Sequence, residues 1–485
     1  MTNIALIVMD TARYDSILDT QAKLSTLKKL QKRGTAYTSA FASAPWTLPS
    51  HGGLFSGQYS SRHGASAAAK QFPETVPTVA ESFANASYET VAISNNTWIS
   101  DEFGFARGFD TFLKNWQYIQ SDVDLGKIAR QEEGFDKIRG IARQLLDGNP
   151  IVNAANAVYG QFVRKQAEDD GAKGTNRQVA DWLNERDDSN PFFLFINYLE
   201  PHLEYRPPKE YTEKFLPEDV SYAEAMDVNQ DAWAYIARDI EMNNRDFEIL
   251  EGLYYAEIAY LDERIGDLCQ LLEEANEWED TVFVITGDHG ENIGDHGLMD
   301  HQYSLHDTLI HVPLVIHGGA FTGGETVDDL VQLTDLAPTL LDAAGIENDE
   351  FEVHSQGRSF HPDTETEPRE YVFAEYLAPQ PSMDALEKRV GDLPEKVYEY
   401  DRSLRAIRSE DWKMIRGSDR SIELYHIAED SDELKNLASD RPEKVSELES
   451  ELDSWLKSFD HAKITADADM SDETKTRLED LGYLQ

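Results

Sequence analysis

Residues 281–297 read TVFVITGDHGENIGDHG, an apolar run that ends in an acid and a histidine flanked by glycines. The run is short and rich in β-branched residues, which predicts a strand buried on both faces. Four other runs have the same character: 4–9 (IALIVM), 89–95 (ETVAISN), 191–199 (PFFLFINYL) and 312–318 (VPLVIHG). Helical patterns lie between them, over 21–33, 77–86, 175–186 and 251–275. This alternation predicts an α/β fold, a large and mostly parallel sheet sandwiched by helices.

Polar residues follow these predicted strands, at the edge where parallel α/β sheets bind ligands. They are Asp10, Asn95, Asn96, His202 (after a short loop), Asp288 and His289. A turn after residue 287 would let Asp288 and His289 face one cation together with Asp10. This donor set suits one divalent metal ion of intermediate hardness, with Mn or Zn favoured and Ca or Mg possible. The alternative is a polar loop with a capping aspartate, and His296 is expected near the metal or in a turn.

The chain divides by pattern into two parts. Residues 1–365 carry the strand and helix alternation, with a charged, helical insertion over 119–174 that could form a lid. Residues 366–485 predict a smaller C-terminal antiparallel sheet followed by the amphipathic helix PEKVSELESELDSWLKSF.

The charge balance is strongly acidic, with 91 Asp and Glu against 44 Lys and Arg in 485 residues, a formal charge of −47. A nucleic-acid partner is excluded because phosphate backbones require a basic patch. The acidic excess predicts a halophilic protein kept soluble in concentrated salt, with an ordinary acidic enzyme as the alternative.

We expect a cytoplasmic protein without a membrane span, because no signal-peptide pattern and no apolar run of about 20 residues is found. Cys269 is the one cysteine, so no intrachain disulfide forms, and the oligomeric state is left open.

Residues 44–57, APWTLPSHGGLFSG, predict a loop that enters a helix, with Pro49 in the first turn. Thr47 has two interpretations. It is either only the N-cap of that helix, or a nucleophile activated beside the metal. His51, one helical turn further on, is expected to steady the Thr47 oxygen.

These motifs together resemble the sulfatase family of the alkaline phosphatase superfamily. The block around Thr47 is similar, in register, to the family signature C/S-x-P-S-R-x-x-L-x-T-G. Further similar segments occur in the family's order: NIALIVMDTARYDSI, FFLFINYLEPHLEYRPP, TGDHGENIGDHG, LHDTLIHVPLVIHGG, VQLTDLAPTLLDAAGI and ELYHIAEDSDELKNLA. The resemblance covers nearly the whole chain except about 119–174.

The resemblance implies an alkaline phosphatase-like fold and further site residues. His202 and His301 would contact the transferred group or protonate the leaving oxygen. The residues that would bind the substrate are His51 and either Asn95 or Asn96. The D-x-x-x-H of two-metal relatives is absent around 197–206, which favours one metal ion.

Two departures from the signature bear on the chemistry. The family's nucleophile is a cysteine or serine oxidised to formylglycine, and Thr47 cannot be converted because its β-carbon already carries a methyl group. His51 also replaces the signature's arginine. The sequence therefore predicts a metal-dependent hydrolase of sulfate or phosphate esters, including phosphodiesters, with Thr47 as the nucleophile. The alternatives are a transferase of phosphoryl-alcohol units, of the phosphoglycerol type, or a non-catalytic binder of sulfated or phosphorylated glycans.

Overall fold

The computed structural model describes residues 2–18, 20, 22–115 and 169–462. Most of the predicted insertion, residues 119–168, lies outside the described residues, as does the chain from 463 onward. The strands are β1 (Asn3–Met9), β2 (Thr35–Tyr37), β3 (Ala40–Phe41), β4 (Glu89–Ser94), β5 (Thr111–Lys114), β6 (Phe192–Tyr198), β7 (Thr281–Gly287), β8 (Asn292–Ile293), β9 (Met299–Asp300), β10 (Leu314–His317), β11 (Glu325–Val327), β12 (Val331–Gln332), β13 (Val372–Tyr376), β14 (Leu404–Arg408), β15 (Trp412–Gly417) and β16 (Ile422–His426).

The α-helices of the described residues differ widely in length, and the longest of them runs from Asn244 to Glu274. They are Tyr14–Ile17, Ser25–Arg33, Thr47–Ser56, Ser60–His63, Val79–Asn85, Ala172–Glu185, Lys209–Thr212, Tyr222–Met226, Ala232–Ile236, Asn244–Glu274, Asp307–Ile310, Leu336–Ala344, Asp349–His354, Met383–Val390 and Pro442–Leu456. In the part of the chain that the structure describes, no helix is both long enough and apolar enough to span a bilayer.

The main sheet has eight strands in the order β11-β2-β10-β7-β1-β6-β4-β5. β1 lies between β6 and β7 and is parallel to both, while β10 is antiparallel to its two neighbours. Every residue of β1, β6 and β7 is buried, because helices cover both faces. This explains why these strands are continuously apolar in sequence. The predicted α/β fold with a mostly parallel sheet is confirmed.

The helix Asn244–Glu274 shows how the covering layer is attached. It begins at the N-cap Asn243, whose side chain accepts hydrogen bonds from the backbone N–H groups of Arg245 and Asp246. Its buried face includes Leu250, Leu261 and Leu268. Full burial of each leucine contributes roughly 1.5–3 kcal/mol, so the apolar face rather than helix propensity fixes this helix on the sheet.

The C-terminal sheet has the antiparallel order β13-β14-β15-β16, as predicted. The helix Pro442–Leu456 covers it, and Leu448 and Leu452 share a small apolar core with Met414 and Leu424. The Glu375 N–H in β13 donates to the Ser43 carbonyl (2.9 Å), in the loop that leads to the helix Thr47–Ser56. The small sheet therefore supports the segment that carries Thr47.

Candidate active site

The three predicted metal ligands meet at one edge of the main sheet. β1 and β7 are parallel with Met9 opposite Gly287, so Asp10 and Asp288 leave the two strands at the same level. The ligand atoms of Asp10, Asp288 and His289 all lie within 4.8 Å of one another. All three side chains are buried. The parallel register of β1 and β7 thus brings residues that are distant in sequence into one cluster.

The His289 ring is held in one orientation. Its Nδ1 lies 2.9 Å from the Gly290 carbonyl oxygen, which accepts the Nδ1 proton. Nε2 then carries a lone pair and faces Asp288 Oδ2 at 3.3 Å and Asp10 Oδ1 at 3.8 Å. A backbone acceptor on one ring nitrogen is the usual support for a histidine that ligates metal through the other.

Each carboxylate of the cluster has one supported oxygen and one unsupported oxygen. Asp10 Oδ2 accepts from Asn96 Nδ2 (2.7 Å), and Asp288 Oδ1 accepts from the backbone N–H groups of Thr11 (3.2 Å) and His289 (2.9 Å). Asp10 Oδ1 and Asp288 Oδ2 are buried and have no hydrogen-bond partner among the described residues. Buried carboxylate oxygens without a partner are costly, and a cation between them would remove that cost. The donor set therefore fits one divalent cation.

The pKa shifts follow from this burial. Burial raises the pKa of Asp10 to about 6, against the lowering effect of the Asn96 hydrogen bond. Burial, and then repulsion from Asp10, raises the pKa of Asp288 well above its usual value. Burial, and then the neighbouring His301, lowers the pKa of His289 well below 6.5. The imidazole is therefore neutral and able to ligate a metal, while the two carboxylates repel each other.

Thr47 is the first residue of the helix Thr47–Ser56, and the N-cap position belongs to Trp46. The interpretation of Thr47 as the N-cap is therefore wrong. Its hydroxyl oxygen lies 3.3 Å from His289 Nε2 and 3.4 Å from Asn96 Nδ2, so it faces the metal ligands. The side chain is buried beside them.

His51 lies in the same helix, one turn after Thr47. Its Nδ1 donates to the Thr47 carbonyl oxygen (2.9 Å) and lies 3.5 Å from Asp288 Oδ2. The Thr47 oxygen that it contacts is therefore the carbonyl, not the hydroxyl. Burial lowers the pKa of His51 to about 4, so the ring is neutral, unlike the arginine of the family signature. Ser50, which was not predicted from the sequence, donates from Oγ to the Asp288 carbonyl (2.6 Å) and links the helix to the loop that carries Asp288 and His289.

The two candidate asparagines have different environments. Asn96 reaches Asp10 and Thr47 through one amide nitrogen, so it borders the predicted nucleophile. Asn95 donates to Thr175 Oγ1 (3.0 Å) and accepts from Asn115 Nδ2 (2.6 Å), which links the strand end to the helix Ala172–Glu185. Of the two asparagines, only Asn96 contacts a predicted metal ligand, Asp10, through these hydrogen bonds.

His202 and His301 border the cluster. The His301 ring centroid lies 5.2 Å from that of His202 and 4.6 Å from that of His289. Burial, and then His301, lowers the pKa of His202 to about 4. Burial also opposes charge on His301, but Asp300 and Glu291 outweigh it and raise the pKa of His301 well above 6.5.

Glu291 and Asp300 were not predicted from the sequence. With His301 they form a second buried group whose ligand atoms lie within 4.8 Å of one another. Glu291 stands in the stretch quoted first, but a single glutamate after a glycine is typical of a turn. His296 lies in such a turn, at a positive φ of 54°, with its ring stacked on His306.

Comparisons with known proteins identify the family of the chain. The family profile described as Sulfatase matches residues 2–346. Arylsulfatase K of Rattus norvegicus is 23% identical, over 94% of this chain and 78% of its own length. The phosphonate monoester hydrolase of Agrobacterium radiobacter has a similar structure (TM-score 0.68, 20% identity, 94% of this chain and 95% of that one).

A second similar structure was solved with its substrate D-glucosamine-2-N,6-O-disulfate (TM-score 0.67, 18% identity, 94% of this chain and 97% of that one). The family match spans most of the chain and includes Asp10, Thr47, Asp288 and His289. The chain belongs to the sulfatase family of ester hydrolases, in the alkaline phosphatase superfamily.

Proposed function

We propose that the protein hydrolyses anionic sulfate or phosphate esters, with Thr47 as the nucleophile beside a cation held by Asp10, Asp288 and His289. The observation that supports this most directly is the 3.3 Å distance between the Thr47 hydroxyl and His289 Nε2. A divalent cation in this donor set supplies charge to polarise the ester and to lower the pKa of a nearby hydroxyl.

The residues divide the reaction between them. The Thr47 Oγ releases its proton to solvent and bonds to sulfur or phosphorus as the bond to the leaving oxygen breaks. Asn96, which already donates toward Thr47, is placed to donate to a non-bridging oxygen of the ester. His301, whose pKa is raised, is the side chain best placed to give a proton to the leaving oxygen, with His202 beside it. Water then attacks the central atom, displaces Thr47 and restores its hydroxyl.

Thr47 favours phosphorus over sulfur as the central atom. A formylglycine hydrate has a second hydroxyl, through which a covalent sulfate leaves by elimination. Thr47 has none, so its ester is cleaved only by attack at the central atom. Phosphoryl groups suit this route because cationic groups share their charge in the transition state. We therefore expect phosphate monoesters or diesters to react faster than the matching sulfates.

The working environment is part of the proposal. The formal charge of −47 favours a salt-rich cytoplasm, where the repulsion between exposed carboxylates is screened. Activity assays are therefore designed in molar KCl.

A paired substrate and nucleophile experiment tests the proposal. Aryl phosphate monoesters, diesters, phosphonates and sulfates with one common leaving group are compared with Mn²⁺ in molar KCl. Thr47→Ala should lose turnover, Thr47→Ser should keep part of it, and mass spectrometry should find a covalent adduct on Thr47 in the wild type.

Ser43→Ala is the matched control. Ser43 is the nearest preceding hydroxyl in the same loop and is fully buried. This variant should keep wild-type turnover. Undiminished turnover in Thr47→Ala would remove Thr47 from the mechanism, and faster cleavage of sulfates would contradict the preference for phosphorus.

A further inference from the structure

We propose that Asp300 is a positioning residue: it holds the His301 ring through Nδ1, so that Nε2 gives its proton to the leaving oxygen of the ester. The inference rests on the proposed function for that role of His301. The contacts that hold the ring do not depend on it.

A short hairpin places the Asp300 carboxylate against the His301 ring. β8 and β9 are antiparallel, with Asn292 opposite Asp300. Asp300 ends β9 with a φ of 71°, in the left-handed region that aspartate and asparagine adopt more readily than most other residues. The chain therefore turns sharply at this point, and His301 Nδ1 pairs with Oδ1 of the residue before it. Strained backbone of this kind clusters at functional sites.

Both oxygens of Asp300 are engaged by neighbouring groups of the chain. Oδ1 accepts from the His301 backbone N–H (2.7 Å) and faces the His301 ring nitrogen as well. Oδ2 accepts from Gln302 Nε2 (2.6 Å). The carboxylate is buried and held from two sides, so it offers the ring a partner in a fixed position.

Glu291 adds a second carboxylate at the same ring nitrogen. Its Oε1 lies 3.5 Å from His301 Nδ1, and the side chain is buried. Its backbone is fixed, because its N–H donates to the Thr308 carbonyl (3.1 Å) and its carbonyl accepts from Arg13 (3.2 Å). Asp300 is the closer of the two carboxylates. With both of them at Nδ1, Nε2 is the ring nitrogen that meets the substrate.

Two other histidines at this edge of the sheet are held differently. His289 Nδ1 lies 2.9 Å from the Gly290 carbonyl oxygen, and His202 Nδ1 faces the Leu203 carbonyl oxygen. His301 has carboxylate oxygens at that nitrogen instead. A carboxylate that orients a histidine through Nδ1, while Nε2 exchanges a proton, is the arrangement of the Ser-His-Asp triad. The contacts therefore distinguish His301 from its neighbours as the residue held for proton transfer.

The proton movement depends on the leaving group. Nε2 gives its proton to the leaving oxygen as the bond from that oxygen to sulfur or phosphorus breaks, and the ring regains a proton from solvent before the next turnover. A phenol, with a pKa of about 10 as in tyrosine, departs without a proton more readily than an alcohol. The pKa of an alcohol is close to that of water, about 15.7. A positioning role therefore predicts a defect that grows with the pKa of the leaving group.

A series of leaving groups tests the proposal. Phosphate and sulfate monoesters of 2,4-dinitrophenol, 4-nitrophenol, phenol and methanol are assayed with Mn²⁺ in molar KCl. For Asp300→Asn, kcat should fall about 10-fold or more on the phenyl and methyl esters, as part of the roughly 10²–10⁴-fold that a positioned proton donor supplies. The dinitrophenyl esters should lose less than about 2-fold, because that leaving group needs no proton. KM should change little throughout. Asparagine is chosen because it also adopts the left-handed conformation.

A double-mutant cycle shows whether Asp300 acts through His301. His301→Gln should show the same dependence on the leaving group. Adding Asp300→Asn to His301→Gln should lower kcat by less than about 2-fold, because the group that Asp300 holds is then absent. Equal losses in the two backgrounds would overturn the proposal, since Asp300 would then act on stability or on another group.

Nitrogen-15 NMR of protein labelled at histidine gives a readout that needs no turnover. The His301 Nδ1 proton should resonate at low field because it is held by a carboxylate, and His301→Gln assigns the resonance by its absence. In Asp300→Asn it should move upfield or disappear, and an unchanged resonance would overturn the proposal. The wild-type spectrum alone decides if Asp300→Asn fails to fold, since a His301 ring without a low-field Nδ1 proton would also overturn it.

Asp262→Asn is the matched control. Asp262 is also a buried aspartate that accepts from a backbone N–H, that of Leu27 (2.8 Å), outside the active site. This variant should keep the wild-type kcat for every ester and the wild-type His301 resonance. A defect in Asp262→Asn that grew with the pKa of the leaving group would show that the measurement does not report on His301.

The two proposals fail separately. Turnover that requires Thr47 but falls equally for every leaving group in Asp300→Asn would overturn the role of Asp300 and leave the proposed function intact. A low-field His301 resonance that Asp300→Asn removes, together with full turnover in Thr47→Ala, would do the reverse.

Discussion

Two buried clusters in this protein each contain two carboxylates and differ in what neutralises them. One, called here the metal cluster, is the proposed cation site of Asp10, Asp288 and His289 at the sheet edge. The other, called here the docking cluster, is Asp307, Lys413 and Glu433, between the main domain and the C-terminal sheet. In the docking cluster, Lys413 Nζ lies 2.7 Å from both Asp307 Oδ1 and Glu433 Oε1. Lys413 is 0% exposed.

The same residue type is driven in opposite directions in the two places. Burial would raise the pKa of Asp307, but Lys413 and then Arg408 hold it well below its usual range. Burial raises the pKa of Asp10 to about 6, since no lysine or arginine opposes it among the described residues. A buried carboxylate paired with a cation of the chain itself is structural. One that lacks such a cation is a candidate ligand for an external cation, which is how perturbed groups mark functional sites.

The largest effect is expected from breaking the metal cluster with Asp288→Asn. The amide oxygen can still accept from the Thr11 and His289 N–H groups, so the loop should keep its shape. The lost charge should abolish metal binding at this cluster, and turnover should fall by more than the roughly 10- to 100-fold typical of residues that only support ligands. Elemental analysis and turnover measure the two losses, and circular dichroism checks the fold.

Asp262→Asn is the control for this change. Asp262 is a buried carboxylate that accepts from the Thr26 and Leu27 N–H groups (3.1 and 2.8 Å) at the start of the helix Ser25–Arg33. Its variant should retain metal and activity. If Asp288→Asn kept its full metal content, the assignment of the ligands would be wrong.

The second prediction concerns the docking cluster, where we expect a loss of stability and no loss of metal binding. Lys413→Met leaves two buried carboxylates without their shared cation, which should lower the free energy of unfolding by about 3–5 kcal/mol. Metal content and turnover per folded molecule should be unchanged. Urea denaturation measures the loss of stability.

Lys444→Met provides the matched comparison, because Lys444 pairs with Glu447 at 2.8 Å on the exposed face of a helix. That pair should contribute less than about 1 kcal/mol. Equal losses in the two lysine variants would show that burial does not distinguish the docking cluster.

The contrast also explains which parts of the molecule were predictable. Asp10 and Asp288 could be placed together because parallel strands bring their carboxyl ends to one edge. Glu291 and Asp300 could not, since strands of two residues leave no periodic pattern.

Other features depend on geometry that a linear pattern does not contain. Asn95 and Asn96 are adjacent in sequence, and only the folded backbone decides which one turns toward Asp10. The partners of Lys413 are distant in sequence (Asp307 is 106 residues away), so no local pattern indicates the docking cluster.

The last and smallest effect separates both buried clusters from the exposed acidic surface. Lowering KCl from about 1 M to about 0.1 M lengthens the Debye screening length from roughly 3 to 10 Å, so exposed carboxylates repel one another over longer distances. With 91 acidic against 44 basic residues, this should lower the melting temperature of the wild type.

The stability difference between the wild type and Lys413→Met should change little, because salt screens buried pairs weakly. Calorimetry of both proteins at the two salt concentrations measures these shifts. An unchanged melting temperature would mean that the acidic surface is not an adaptation to salt, whereas a salt-dependent Lys413 effect would mean that the docking cluster is open to solvent.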